Sequence, residues 1–316
     1  RTEDRLSPII DAHQHFWSLD NNDLPWLCEP EPIPFRYGDY SALRRNYLVP
    51  DYLSDARHHT IAGTVYVEAE WDRTRPNDET QWVAKTRQQT GLPSVMVAHA
   101  KLDGEGLEGV LERHCAYPFV RGIRHKPAAS PTPAGAVTER PGAMGDPKWR
   151  AGYALLHRFG LSFDLQTPWW HLAEAADLAK AFPDTPIILN HAGLPADRSP
   201  DAIAAWRSAM QTLAACPNAF AKISGIGVPG NPWTAALNKD IVHTTIDIFG
   251  IERCMFASNF PVDSLVADFD TIFGSFNALT QHLSGSDRRA LFYENAKKLY
   301  RISDDDLVQR SPLAPR

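Results

Sequence analysis

Cysteine is scarce in this chain. Its four cysteines, Cys28, Cys115, Cys216 and Cys254, stand far apart with no paired spacing. That excludes a disulfide framework and a zinc knuckle, and it leaves the expectation of buried free thiols in a reducing cytoplasm. Positive charge is not in excess either. A net charge of −6 gives no electrostatic footprint for nucleic acid and no basic patch for a membrane surface. No apolar run approaches the roughly 18 residues needed to span a bilayer. The opening residues, RTEDRLSP, are charged and lack the apolar core of an export signal. They begin on Arg1 rather than methionine, so a trimmed N-terminus is expected. Internal repeats and low-complexity segments are missing as well. These absences leave a globular chain whose partner is a small molecule, with a homodimer as a further expectation.

What is present is a rhythm. Eight β-type runs recur, at 8–13, 61–70, 94–100, 119–125, 161–166, 186–193, 219–225 and 253–259. They are rich in Val, Ile and Phe, and Gly or Pro stands near many of their boundaries. Helical spacing fills stretches between them, at 78–91, 105–114, 171–183, 201–216 and 286–300. The last of these opens on Ser286 and Asp287, residues suited to an N-cap. Strand–helix alternation repeated eight times predicts an α/β fold, a (β/α)8 TIM barrel, with residues 1–316 as a single domain. Hydrophobic residues make up 43% of the 316, enough to fill such a core. Three stretches read as insertions at the rim: 16–47, 126–147 and 225–240. The last two follow the carboxyl ends of strands, the face where such barrels carry their sites, and read as candidate lids or plain surface inserts.

Polar residues gather at those same strand ends. Residues two apart on a strand point the same way. This puts Asp11 with His13 and continues the line to His15; it pairs Glu68 with Glu70, Arg124 with Lys126, Asp164 with Gln166, and Lys222 with Ser224. His191 follows Ile187 and Leu189, and Asn259 follows Met255 and Ala257. One polar strand end means little, but seven of eight converging on one barrel mouth describe a site. Each residue keeps a plainer reading. His191 is equally a hydrogen-bonded core histidine, and Arg124 or Lys222 equally an internal counter-charge. His125 reads as structural, and His58 and His59 as solvated on a surface helix. Trp169 and Trp170 either wall a ligand or cap the barrel. The His-X-His pair at His13 and His15 can hold one divalent metal or donate two hydrogen bonds to one oxygen.

The segments IIDAHQHFW, VYVEAE, GIRHKP, FDLQ, ILNHAG, KISG and RCMFASNFPVD together resemble the amidohydrolase superfamily. The nearest branch is the amidohydrolase-2 group, which includes sugar-acid lactonases and 2-pyrone-4,6-dicarboxylate lactonase. The resemblance runs from about residue 8 to residue 302. It implies a distorted (β/α)8 barrel and a hydrolase that opens a lactone by water attack on the carbonyl, with non-oxidative decarboxylation as the alternative chemistry. It also implies that His13, His15 and His191 surround the reacting carbonyl or hold one divalent metal, zinc first. Asn259 falls where the family usually carries an aspartate that activates water.

An amide has no useful basicity near neutral pH and is an uncharged ligand. Three readings follow: a natural variant working without tightly bound metal, a substitution made to trap a ligand, or a barrel that binds without turnover. In the first, the histidines act as an oxyanion hole, and Asp263, Glu68 or His191 serves as base. The expected substrate contacts are Glu68, Arg124, Lys126 and Gln166, with Trp17, Trp26 and Trp233 flanking the ring.

Overall fold

The computed structural model describes residues 7–308, so the charged opening at residues 1–6 lies outside the described part. Eight parallel strands run in sequence order: β1 (Pro8–Gln14), β2 (Thr60–Val67), β3 (Val95–His99), β4 (Val120–Arg124), β5 (Ser162–Leu165), β6 (Ile187–Leu189), β7 (Ala219–Ile223) and β8 (Cys254–Phe256). Each pairs with the next. A single parallel bridge, Gln14 to Phe260, joins the two ends of the sheet. Short backbone bonds from Asn259 N to His13 O (2.9 Å) and from His15 N to Phe260 O (2.8 Å) complete that seam. The result is the expected (β/α)8 barrel, closed loosely between its first and last strands.

Helices fill the crossovers: α1 (Pro25–Cys28), α2 (Val49–Asp55), α3 (Pro76–Thr90), α4 (Leu107–Cys115), α5 (Pro147–Arg158), α6 (Leu172–Ala181), α7 (Pro200–Ala214), α8 (Ala235–Phe249), α9 (Phe269–Leu279), α10 (Gly285–Arg289) and α11 (Asn295–Leu299). Local chemistry explains their ends. Asp146, Thr234 and Asp268 accept from the first-turn N–H groups of α5, α8 and α9. Gly91, left-handed at φ 81°, stops α3. The helix expected over 286–300 is three pieces, because a π turn (Ala290–Glu294) separates α10 from α11. Its cap is Ser284 rather than Ser286 or Asp287, since Ser284 accepts from Asp287 N. The insertion expected over 225–240 ends early, because α8 begins at Ala235.

The strands divide their residues between two cores. Ile10, Ala12, Val65, Val67, Val95, Val97, Ile188, Met255 and Ala257 fill one cluster, with Tyr293, Ala296, Tyr300 and Ile302 from the C-terminal stretch packed against them. The alternate positions, among them Ile9, Tyr66, Ile123, Phe163, Leu189 and Phe256, join the larger cluster with the helices. Two surface expectations are corrected. His59 is not simply solvated: both His58 and His59 bond the carboxylate of Asp270, at 2.7 and 2.8 Å. Cys216 and Cys254 are buried, but Cys28 is exposed, because the short α1 turns it outward while burying Trp26 and Leu27.

The segment 126–147 is tied down. Trp170 Nε1 donates to Ser130 O at 2.9 Å and Ser130 N donates to His171 Nε2 at 2.9 Å. Segment 16–47 is anchored by an antiparallel bridge between Trp17 and Tyr47 and by Trp26 Nε1 donating to Ala69 O at 2.9 Å.

Candidate active site

A cavity of about 350 Å³ opens at the carboxyl ends of the strands. His15, Glu70, Arg124, Lys126, Gln166, His191 and Asn259 reach it from the barrel, and Trp17, Trp26 and the 33–36 stretch close it from the rim. A larger cavity, about 680 Å³, lies at the opposite end, by Pro8, Thr60 and α10, and contains none of the expected site residues.

Simple alternation does not deliver the three histidines; local irregularities do. The β1–β2 register shifts between Asp11 and Gln14, so Asp11 and His13 do not share a face. Asp11 turns to the helical shell, accepting from Tyr52 Oη at 2.8 Å and Ser258 Oγ at 2.6 Å. His191 lies past the end of β6, in the left-handed region at φ 57°. That twist brings in a residue which strict alternation from Leu189 would send to the helices. Asn259 is left-handed too, at φ 54°. Such conformations are costly for side-chain-bearing residues and cluster at functional sites. The outcome is three imidazoles in one place: ring centroids of His13 and His15 lie 5.2 Å apart, and those of His13 and His191 lie 4.6 Å apart.

All three rings are neutral. Burial, then the positive charge of Lys222, pushes His13 far down. Burial and Arg124 bring His15 down to about 3. Burial, then Arg36 and Arg124, pushes His191 well down too. Hydrogen bonds fix one tautomer directly. His15 Nδ1 meets Val67 O at 2.6 Å, and a carbonyl only accepts, so His15 keeps its lone pair on Nε2. His191 Nδ1 lies 2.9 Å from Ser224 Oγ. Gly225 makes room for this: a Cβ there would sit 2.6 Å from His191 Nδ1 and from Arg36 Nη2.

Charged residues form a web beside the rings. Arg124 donates to Glu68 Oε1 (3.0 Å), Glu68 O (2.8 Å), Gln166 Oε1 (3.0 Å) and Asn190 Oδ1 (3.3 Å). A guanidinium has five N–H donors, so one remains for a ligand. Glu68 is also bonded by Arg73 at 2.9 Å. Burial would raise its pKa, but Arg73 and Arg124 hold it well below the usual carboxylate range. With Arg124 on Oε1, Arg73 and Glu70 N on Oε2, and no place in the cavity lining, Glu68 is a counter-ion and not a base. Lys126 bonds Glu70 at 2.8 Å.

Asp263 stands behind Asn259 and is buried, accepting from Asn259 Nδ2 at 2.8 Å. Burial pushes its pKa up to about 6, against the opposing pull of Arg36 and the bond from Asn259. Trp17 and Trp26 line the cavity as expected. Trp233 does not: it is buried against Phe276 of α9, with ring centroids 5.8 Å apart. Trp169 and Trp170 stay out of the cavity as well and pack on each other. Sequence reasoning missed Arg36. It reaches the site from the rim, donating to Gly225 O at 2.7 Å, and carries no strand-end signal.

The ligand set His13, His15 and His191 does not fit a divalent cation. Among the described residues no group of three His, Cys, Asp or Glu is arranged to hold a metal ion. Asn259 adds no charge, and the Lys222 ammonium stands 3.3 Å from His13 Nδ1.

Comparison with known proteins places this architecture. A family model described as amidohydrolase matches residues 10–302. An uncharacterized protein of Sinorhizobium fredii, y4mH, is 39% identical over 294 residues, covering 93% of this chain and 98% of its own. An L-fucono-1,5-lactonase of Burkholderia multivorans is 28% identical, covering 93% of this chain and 96% of its own. Among solved structures, an amidohydrolase of Burkholderia multivorans with bound zinc superposes with a TM-score of 0.76 at 24% identity, over 93% of this chain and 99% of its own. Among the described residues no helix is long and apolar enough to cross a membrane.

Proposed function

The chain belongs to the amidohydrolase family, and we propose that it opens a lactone of a sugar acid or small carboxylic acid. One observation carries the reading: the rings of His15 and His191 lie 5.2 and 4.6 Å from that of His13, and His15, His191 and Asn259 line a cavity that also meets Arg124 and Lys126. Relatives named as lactonases over nearly the whole chain support it.

The ring ester lies in the cavity with its carbonyl oxygen toward the imidazoles. Asn259, held by Asp263, presents its amide oxygen to a water molecule. His15 takes the water proton on Nε2 as the oxygen attacks the carbonyl carbon. The oxyanion that forms is met by N–H donors, and its charge offsets the burial that keeps His15 neutral. Collapse breaks the ring C–O bond, and the His15 imidazolium returns its proton to the departing alkoxide. The product is a hydroxy acid. The free N–H of Arg124 and the ammonium of Lys126 hold a carboxylate or hydroxyls of the ring.

Incubation of the protein with sugar-acid and dicarboxylate lactones in oxygen-18 water tests this. Ring opening with one labelled oxygen in the new carboxylate is the expected result. Release of carbon dioxide from an aromatic or enoic acid, without opening of any lactone, would favour decarboxylation.

A further inference from the structure

Beneath the mouth, buried polar groups of β5, β7 and β1 stand in a row. Lys222 Nζ donates to Asp164 Oδ2 at 2.6 Å and faces His13 Nδ1 at 3.3 Å. All three side chains are fully buried. Asp164 is itself held: Tyr300 Oη donates to Oδ1 at 2.7 Å, and Asn190 Nδ2 donates to Oδ2 at 2.9 Å. The Tyr300 ring centroid lies 5.2 Å from Lys222 Nζ. An ammonium has three donors and no lone pair. Here its surroundings are a carboxylate, an imidazole nitrogen and an aromatic face, each of them an electron-rich partner.

An ammonium against Nδ1 permits one arrangement of the ring: Nδ1 accepts and Nε2 carries the hydrogen. That Nε2 is buried and has no hydrogen-bond partner among the described residues. A buried, unmade bond is costly, and each such group in a native fold calls for an explanation. His15 is the control inside the same motif. Its Nδ1 faces a carbonyl oxygen, which sets the opposite tautomer. Histidines that ligate metals ordinarily give their second N–H to an acceptor, as His15 does. His13 instead faces a donor.

We infer that Lys222 is a positioning residue that fixes His13 as the Nε2–H tautomer, so that His13 supplies a hydrogen-bond donor to an oxygen entering beside His15 and His191 and is withheld from metal ligation. The two histidines of the His-X-His pair then have opposite polarity: His13 gives a proton to a hydrogen bond and His15 offers a lone pair. That the oxygen is a lactone carbonyl rests on the proposed function; the tautomer does not.

Long-range proton–nitrogen NMR spectra of the full chain with nitrogen-15 histidine test this, with His13 assigned through His13→Gln. The expected result at neutral pH is a single neutral form of His13 with the hydrogen on Nε2, unmoved when zinc sulfate is added. A hydrogen on Nδ1, a mixture of forms, or displacement of the His13 signals by one equivalent of zinc would overturn the inference. In Lys222→Met the His13 signals should shift toward mixed tautomers; an unchanged tautomer in a folded variant would also overturn it. Should that variant fail to fold, the unmodified protein decides the matter alone. Neither spectrum depends on turnover, so failure of the lactone reading and failure of this one are separable.

Discussion

The carboxamide of Asn259 donates through Nδ2 to Oδ1 of Asp263 at 2.8 Å. The acid is therefore one residue deeper than the cavity wall, and the amide at the wall is oriented by it. Replacing Asp263 with Ala removes the acceptor and frees the amide to rotate; replacing it with Asn keeps an oxygen acceptor. Asp263→Ala should lower kcat about tenfold, the equivalent of roughly one lost hydrogen bond, with Asp263→Asn recovering much of the rate. Steady-state kinetics on an opened lactone read both. Equal losses in the two variants would contradict the orienting role.

The same carboxyl makes a prediction about stability. Burial raises its pKa from the ordinary 3.8 to about 6 in the folded protein. The folded state thus holds the proton more tightly than the unfolded chain. The resulting stabilisation is complete below about pH 4 and is lost as pH rises through about 6. Asp263→Asn cannot ionise, so its stability relative to the unmodified protein should rise between pH 4 and pH 7, by of order 3 kcal/mol. Urea unfolding at a series of pH values measures the difference, and a flat difference would show that the carboxyl is not buried in this way.

Eight strands were legible in order because each is a short β-branched or aromatic run between breakers. The longer helices missed were α5, α8 and α9, which follow loops and open on single caps, Asp146, Thr234 and Asp268. The site was legible as a set of residues at strand ends but not in its geometry. Alternation holds only inside a regular strand: a register shift turns His13 inward beneath the cavity, and His191 and Asn259 reach its wall through left-handed backbone. Trp233 was misplaced for a related reason: an aromatic in a loop gives no direction, and this one packs on Phe276. Arg36 left no trace, because its partner Gly225 is 189 residues away in the chain.

Gly225 is a sharp test of the close approach behind His191. Its φ is +60°, and a Cβ would meet His191 Nδ1 and Arg36 Nη2 at 2.6 Å. Gly225→Ala should lower kcat at least tenfold, because His191 or Arg36 must move, and should cost about 1–3 kcal/mol of stability through backbone strain. Circular dichroism and thermal melting establish that the variant is folded. Undiminished kcat in a folded variant would show that the position of His191 does not matter.

Arg124 spreads four hydrogen bonds over Glu68, Gln166 and Asn190. A lysine there keeps the charge beside Glu68, which Arg73 also pairs, but loses the planar fork. Arg124→Lys should fold and should raise KM about tenfold with a smaller change in kcat. Unaltered KM would remove Arg124 from substrate binding.

Ring opening depends most directly on the lone pair of His15. Turnover of a lactone by the unmodified protein, set beside His15→Ala and His191→Ala, measures it. The expected result is ring opening by the unmodified protein and a fall in kcat of about 10²–10⁴ for His15→Ala, with KM little changed. Full activity of a folded His15→Ala variant, or no opening of any lactone by the unmodified chain, would contradict it.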